Sequence, residues 1–218
     1  MNTSDLLKTA KNIYAVGRNY AEHIEELGNT RPVEPVLFSK SISGLCSDLK
    51  ILLPGLLEPV HFELELVLRL GRDLDLREFR SLDCISHMAL GVDFTARQLQ
   101  ERLKNEGLPW FRAKNFHNAC FLGPLREVFA LEEPLHFQLF QNGIPRQEGD
   151  TRLMLFSFDR ILRFLNQTVA LREGDLIFTG TPSGVGPVAD GDRLRLCCRA
   201  LQTDVELQIA YDAPESAG

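Results

Sequence analysis

The sequence predicts a mainly β chain with a few helices, an α+β fold in which sheets pack on one another or roll into a shell. Short segments with apolar–polar alternation recur along the chain, each flanked by turn residues. Helical patterns between them are few, which argues against a doubly wound parallel sheet. No repeat, low-complexity tract or linker divides the 218 residues, a length that supports one substantial core.

Residues 13–16 read as a short strand. Residues 20–27 have the spacing of one or two helical turns, with Gly28 as the terminating cap. Strands are predicted at 36–39 and 51–53, then a longer one at about 61–70. There Phe62, Leu64, Leu66 and Leu68 point one way and His61, Glu63 and Glu65 the other. A short helix is expected at 81–86 and a buried strand at 88–92, ending at Asp93. Thr95-Ala96-Arg97-Gln98 has the spacing of a capping box and opens a helix that runs to Gly107. Residues 135–140 alternate into Asn142-Gly143, the strongest hairpin signal in the chain. Residues 157–166 read as a helix with Phe158, Ile161, Leu162 and Leu165 on its apolar face. Glu173-Gly174-Asp175 turns into a strand at 176–179, and the last strands lie at about 193–199 and 204–210. The first ten residues and a loose tail from about 213 flank a single domain covering 1–218.

A net charge of −6 and the lack of a dense Lys/Arg cluster exclude nucleic acid as the main partner. No apolar run reaches membrane-spanning length. The start, Met1-Asn2-Thr3-Ser4-Asp5, lacks the basic region of a secretory signal, so a cytoplasmic location is expected. The cysteines at 46, 84, 120, 197 and 198 are odd in number and contain no Cys-x-x-Cys. They read as reduced, structural thiols rather than a disulfide framework or zinc site.

Five constellations could carry chemistry. Glu63 and Glu65, two apart on a strand, sit roughly 7 Å apart along it. They repel unless a hard cation lies between them, and Asp93 could add a third oxygen. Alone, Glu-x-Glu also fits a solvated strand face. His23 and Glu26 share a helical face, where a carboxylate orients the imidazole as a general base; a surface pair is the plainer alternative. Asp93 lies just before a helix start, which favours its charged form, and Arg97 one turn on could hold a carboxylate. Lys114 sits among aromatic residues in Trp110-Phe111-Arg112-Ala113-Lys114-Asn115-Phe116, where burial near a metal or anion would make it electrostatically important. Thr179-Gly180-Thr181-Pro182-Ser183-Gly184-Val185-Gly186-Pro187 can present backbone N–H groups to an anion, and it lacks the Gly-Lys-Ser/Thr of a Walker loop.

In this order, with Phe38-Ser39-Lys40, Gln147-Glu148-Gly149 and Asn142-Gly143, these segments resemble the fumarylacetoacetate hydrolase family, in particular its short acylpyruvase-like members. The resemblance runs from about Lys11 to Val205. It implies a mixed β-sandwich roll, a homodimer and a bound Mg²⁺ replaceable by Mn²⁺ or Ca²⁺. The implied metal ligands are Glu63, Glu65 and Asp93. The implied catalytic groups are His23 and Glu26, on a short lid over the substrate, and Lys114. Arg18, Lys40, Gln100 and Thr181 match positions near a small 2-oxo acid substrate, and Arg97, read above as a carboxylate holder, is the further substrate-binding candidate. One departure is the missing proline after Lys40. The implied activity is Mg²⁺-dependent hydrolysis of acylpyruvates to pyruvate and a carboxylic acid, with oxaloacetate decarboxylase or tautomerase activity. An isomerase or decarboxylase of 2-oxo dienedioates, and a non-catalytic metabolite sensor, are the alternatives.

Overall fold

The computed structural model describes residues 3–22, 31–57, 59–74, 81–128 and 134–212. In chain order its first strands are β1 (Ile13–Gly17), β2 (Val36–Lys40), β3 (Leu45–Cys46), β4 (Lys50–Leu53) and β5 (Val60–Phe62). Next come β6 (Leu64–Leu70), β7 (Ile85–Asp93), β8 (Cys120–Leu122), β9 (Arg126–Glu127) and β10 (His136–Gln141). The last are β11 (Ile144–Asp150), β12 (Leu176–Phe178), β13 (Gly186–Val188), β14 (Arg193–Cys198) and β15 (Thr203–Tyr211). The α-helices among the described residues are α1 (Thr3–Lys8), α2 (Arg97–Asn105), α3 (Phe111–Lys114) and α4 (Phe158–Thr168). None is long and apolar enough to cross a membrane.

The strands form a mixed roll. An eight-stranded sheet runs β2-β1-β12-β6-β7-β8-β3, with β9 paired to β7. A five-stranded sheet runs β11-β10-β14-β15-β4, and β13 pairs with β5. Most pairs are antiparallel, but β1–β12, β3–β8 and β15–β4 are parallel. The pleat explains the packing. Leu64, Leu66, Leu68 and Leu70 of β6 share one core with Phe137 and Leu139 of β10 and Leu207 of β15. Val67, on the opposite face, packs with Ile13, Ala89, Leu176 and Leu6 of α1. Burying both faces of β6 stabilises the fold by about 25 cal/mol for each Å² of apolar surface removed from water. It also excludes the solvated-face reading of Glu65, since every residue of β6 is buried.

Local signals set several elements. Asn142 and Gly143 both adopt positive φ (53° and 80°), as a two-residue hairpin turn between β10 and β11 requires. The Ser157 side chain accepts from Arg160 N and caps α4, whose Phe158, Ile161, Leu162 and Leu165 are buried as the periodicity predicts.

Three expectations are corrected. The strand at 61–70 is two strands, with Glu63 between β5 and β6 in neither, because Phe62 pairs with β13 while Leu64 pairs with β7. The capping box at Thr95 does not form: Ala96 is the N-cap of α2, no side chain caps it, and the Thr95 hydroxyl is turned to Lys114. The short helix expected at 81–86 is a 3₁₀ turn at Ser81–Cys84, with β7 already begun at Ile85. The helical turns expected at 20–27 lie mostly outside the described residues, as does the tail from 213. All five thiols are free. Burial pushes Cys84 up to about 11 and Cys46 and Cys120 up to about 12, so these three stay protonated.

Candidate active site

The site forms where β6 and β7 leave their pairing. Glu65 lies opposite Gly91 on neighbouring strands, Asp93 ends β7, and Glu63 stands just before β6. The turn is fixed by backbone bonds. Asp93 N donates to Glu63 O at 2.8 Å, and His61 and Thr95 exchange bonds of 2.8 and 2.9 Å. Because Glu63 is outside the strand, its carboxylate is not held at the strand repeat from that of Glu65. One oxygen from each of Glu63, Glu65 and Asp93 lies within 4.8 Å of the others, and all three residues are buried.

Three buried cations surround this charge. Lys114 Nζ, brought in by α3, donates to Glu63 Oε2 at 2.9 Å, Asp93 Oδ2 at 2.6 Å and Thr95 Oγ1 at 2.7 Å. Lys40, at the end of β2, donates to Asp93 Oδ1, and Arg97, in the first turn of α2, donates to Glu63 Oε1. Arg97 also donates to Gln100 Oε1 at 2.7 Å. Burial alone would lower the Lys114 ammonium, but Asp93 and then Glu63 overcome this and raise it, so it stays charged.

Glu65 is treated differently. Among the described residues no lysine or arginine bonds to it; its partner is the Gly180 N–H at 2.6 Å. Burial, and then the Asp93 carboxylate, push the Glu65 carboxyl well above the usual range. Gly180 has φ 102°, and a Cβ there would lie 2.6 Å from Asn19 Cβ, so this N–H is aimed by a position that excludes a side chain. Asn19 holds the loops together. Its amide donates to Thr179 O at 2.7 Å and Phe156 O at 3.1 Å, and it accepts from Phe156 N at 2.8 Å.

An all-oxygen donor set, buried and with one carboxylate that has no cationic partner among the described residues, fits a hard divalent cation. Three protein oxygens also leave positions for an oxygen-rich ligand.

A cleft of about 290 Å³ opens over these groups. The residues expected near a substrate fall in two places. Arg18, Arg97, Gln100 and Thr181 line the cleft together with Glu63, Glu65 and Lys114. Lys40 does not line it: its ammonium lies behind, on Asp93 and Phe94 O, so it supports a carboxylate rather than facing a ligand. Arg18 adopts φ 60°, a left-handed conformation that costs a residue with a side chain about 1–2 kcal/mol. His23 and Glu26 lie outside the described residues. Sequence reasoning names no individual part in the site's chemistry for Thr95, Gly180 or Gln147. Gln147 accepts from Leu64 N at 2.9 Å and donates to Thr181 Oγ1 at 2.8 Å, tying the glycine loop to the start of β6. The glycine loop that the sequence offers as an anion binder carries the signal for Gly180; the group it meets is the carboxyl of Glu65.

A curled mixed sheet that gathers three carboxylates under one cleft is the scaffold of enzymes of the fumarylacetoacetate hydrolase type. The family model described as fumarylacetoacetate (FAA) hydrolase C-terminal matches residues 12–206. The chain belongs to this family. It is 39% identical over 189 residues to the mitochondrial oxaloacetate tautomerase FAHD1 of Bos taurus, covering 85% of this chain and 86% of that one. It is 34% identical over 209 residues to the mitochondrial oxaloacetate decarboxylase of Dictyostelium discoideum, covering 93% and 95%. Its fold matches the fumarylpyruvate hydrolase of Pseudomonas aeruginosa, solved with Mn²⁺ and pyruvate, at a TM-score of 0.86 and 30% identity, covering 93% of this chain and 91% of that one. The chain is accordingly an enzyme, and the non-catalytic sensor alternative is set aside.

Proposed function

We propose that this enzyme interconverts the keto and enol forms of oxaloacetate with a divalent cation, Mg²⁺ or in its place Mn²⁺ or Ca²⁺, held by Glu63, Glu65 and Asp93. The observation that carries this reading is the buried carboxylate triad under a small cleft lined by cations. The likeness to oxaloacetate tautomerases over most of the chain supports the substrate.

When bound, the cation supplies Lewis-acid polarisation of a chelating 2-oxo acid, which favours loss of a proton from C3. The chain's own groups hold and polarise the substrate, while the C3 proton leaves to solvent at the open side of the cleft and a solvent proton returns to the enolate oxygen. Lys114, kept protonated, holds positive charge beside the oxygen on which enolate charge develops. Arg97 fixes the Glu63 carboxylate and steadies Gln100 at the cleft wall. Lys40 holds Asp93 from behind. Burial of these groups excludes water, which strengthens each of these interactions.

The test follows the absorbance of enol-oxaloacetate. We expect Mg²⁺ to support decay well above the spontaneous rate, excess EDTA to abolish it, and added Mg²⁺ to restore it. Undiminished turnover in EDTA, by protein shown to be metal-free, would remove the cation from the reaction.

A second reading, hydrolysis of acylpyruvates, is favoured by the fumarylpyruvate hydrolase of the same fold. It needs a water to attack the distal carbonyl, and His23 with Glu26 is the pair assigned to that water. His23→Ala should lower acetylpyruvate hydrolysis by about 10²–10⁴-fold. Tautomerisation, which needs no attacking water, should fall much less, with Mg²⁺ affinity unchanged. Equal loss of both reactions would place His23 in the shared enolate step. The same reading carries a homodimer, checked by light scattering, and a reducing cytoplasmic compartment in which five free thiols persist.

A further inference from the structure

The mouth of the cleft holds a cation that the reaction above does not use. Lys104 lies in the last turn of α2, one turn beyond Gln100, so the two share a helix face and both line the cleft. Its ammonium sits 5.7 Å from the centre of the Trp110 ring. That ring packs on Phe38 at 5.2 Å and 49°, and Lys114 Nζ lies 4.9 Å from the Phe38 ring. Two tilted rings thus make one wall of the cleft, with Lys114 over the inner ring and Lys104 over the outer one. A cation over an aromatic face is held in place without losing its charge.

No carboxylate among the described residues lies within ion-pair distance of Lys104. Its electrostatic neighbours are mainly cations. Its side chain is exposed, yet desolvation by the groups around it first, and then Arg97, Arg18 and Lys114, push its ammonium below the usual lysine value, with Glu63 opposing. A bound anion at the mouth relieves that repulsion. The acidic floor takes the 2-oxo end of the substrate, so an anion at the mouth belongs to the other end of the molecule.

We propose that Lys104, steadied on the Trp110 ring, is a specificity-determining residue that binds the distal carboxylate of a 2-oxo dicarboxylic acid. The enzyme then favours dicarboxylates over 2-oxo acids with uncharged tails. This rests on the reading of the floor given under Proposed function. Lys104 also stands at the C-terminal end of α2, where a cation stabilises the helix. That role would act on every ligand alike, so the test must separate ligands.

The experiment is calorimetric titration of the Mg²⁺-loaded protein with 2-oxoglutarate and 2-oxopentanoate, which differ by a distal carboxylate against a methyl group. The wild type should prefer 2-oxoglutarate by about tenfold, the scale of a charged hydrogen bond at a half-open site. Lys104→Ala should bring the two within about threefold by weakening 2-oxoglutarate alone, and Lys104→Arg should restore most of the preference. For enol-oxaloacetate, Lys104→Ala should raise KM with kcat nearly unchanged, as loss of uniform binding does. If Lys104→Ala keeps the preference, or weakens both ligands equally, the inference fails while the floor reading stands. If the wild type binds neither ligand, the floor reading fails and this inference with it.

Discussion

Glu65→Gln is expected to cut Mg²⁺-dependent turnover by at least about a thousandfold while leaving the fold intact. Removing groups that merely orient metal ligands costs 10–100-fold in affinity or activity, and Glu65 is assigned as a ligand itself. Glutamine keeps the shape of the side chain and an oxygen to accept from Gly180 N, so the loop should hold. It removes the charge. The folded chain raises the Glu65 carboxyl, chiefly through burial and then through Asp93. An acid whose folded value lies above its unfolded value costs stability at every pH above the unfolded value. At neutral pH in EDTA the variant should therefore melt no lower than the wild type, and it should gain less from added Mg²⁺. Calorimetry and thermal melts with and without Mg²⁺ check both halves. Wild-type Mg²⁺ affinity in the variant would sink the ligand assignment.

Lys114→Met should act in the opposite sense on stability. The ammonium is buried and bonds two carboxylates and a hydroxyl. Methionine fills similar space but leaves Glu63 and Asp93 with less compensation. Breaking a buried ion pair from one side costs about 3–5 kcal/mol, which denaturation in EDTA should show. Mg²⁺ should return part of that loss, since a cation bound to the folded state replaces the missing positive charge. Turnover should nevertheless remain about 10²–10³-fold low with saturating Mg²⁺, because the charge beside the enolate oxygen is gone. A variant that is destabilised yet turns over within threefold of the wild type would make Lys114 a purely structural residue.

The two substitutions divide the floor of the site: one carboxylate kept at a cost in the folded chain, and one ammonium that offsets its neighbours. Neither role can be read from either residue alone. Glu63 and Glu65 look alike in the sequence, yet Glu63 is bonded by Lys114 and Arg97 whereas Glu65 meets a backbone N–H.

Features whose causes lie within a few residues are legible in the chain alone. Asn142-Gly143 makes its turn because both positions tolerate positive φ. Ser157 starts α4 because its hydroxyl reaches an amide three residues on. The alternation of buried Leu194, Leu196 and Cys198 with exposed Arg193 and Arg195 and half-buried Cys197 on β14 follows from the pleat. The residues of the triad were also legible, through the order of the motifs around them. How those residues act depends on contacts between distant segments. The break at Glu63 depends on Thr95 pairing with His61, and the failed cap at Thr95 depends on Lys114 claiming its hydroxyl. Lys40 faces away from the cleft because Asp93, 53 positions along the chain, accepts its bond. The difference is one of range. Turns and caps are satisfied by neighbouring backbone, whereas a buried charge must be satisfied by whichever opposite charge the fold brings near, here from 21 to 53 positions away.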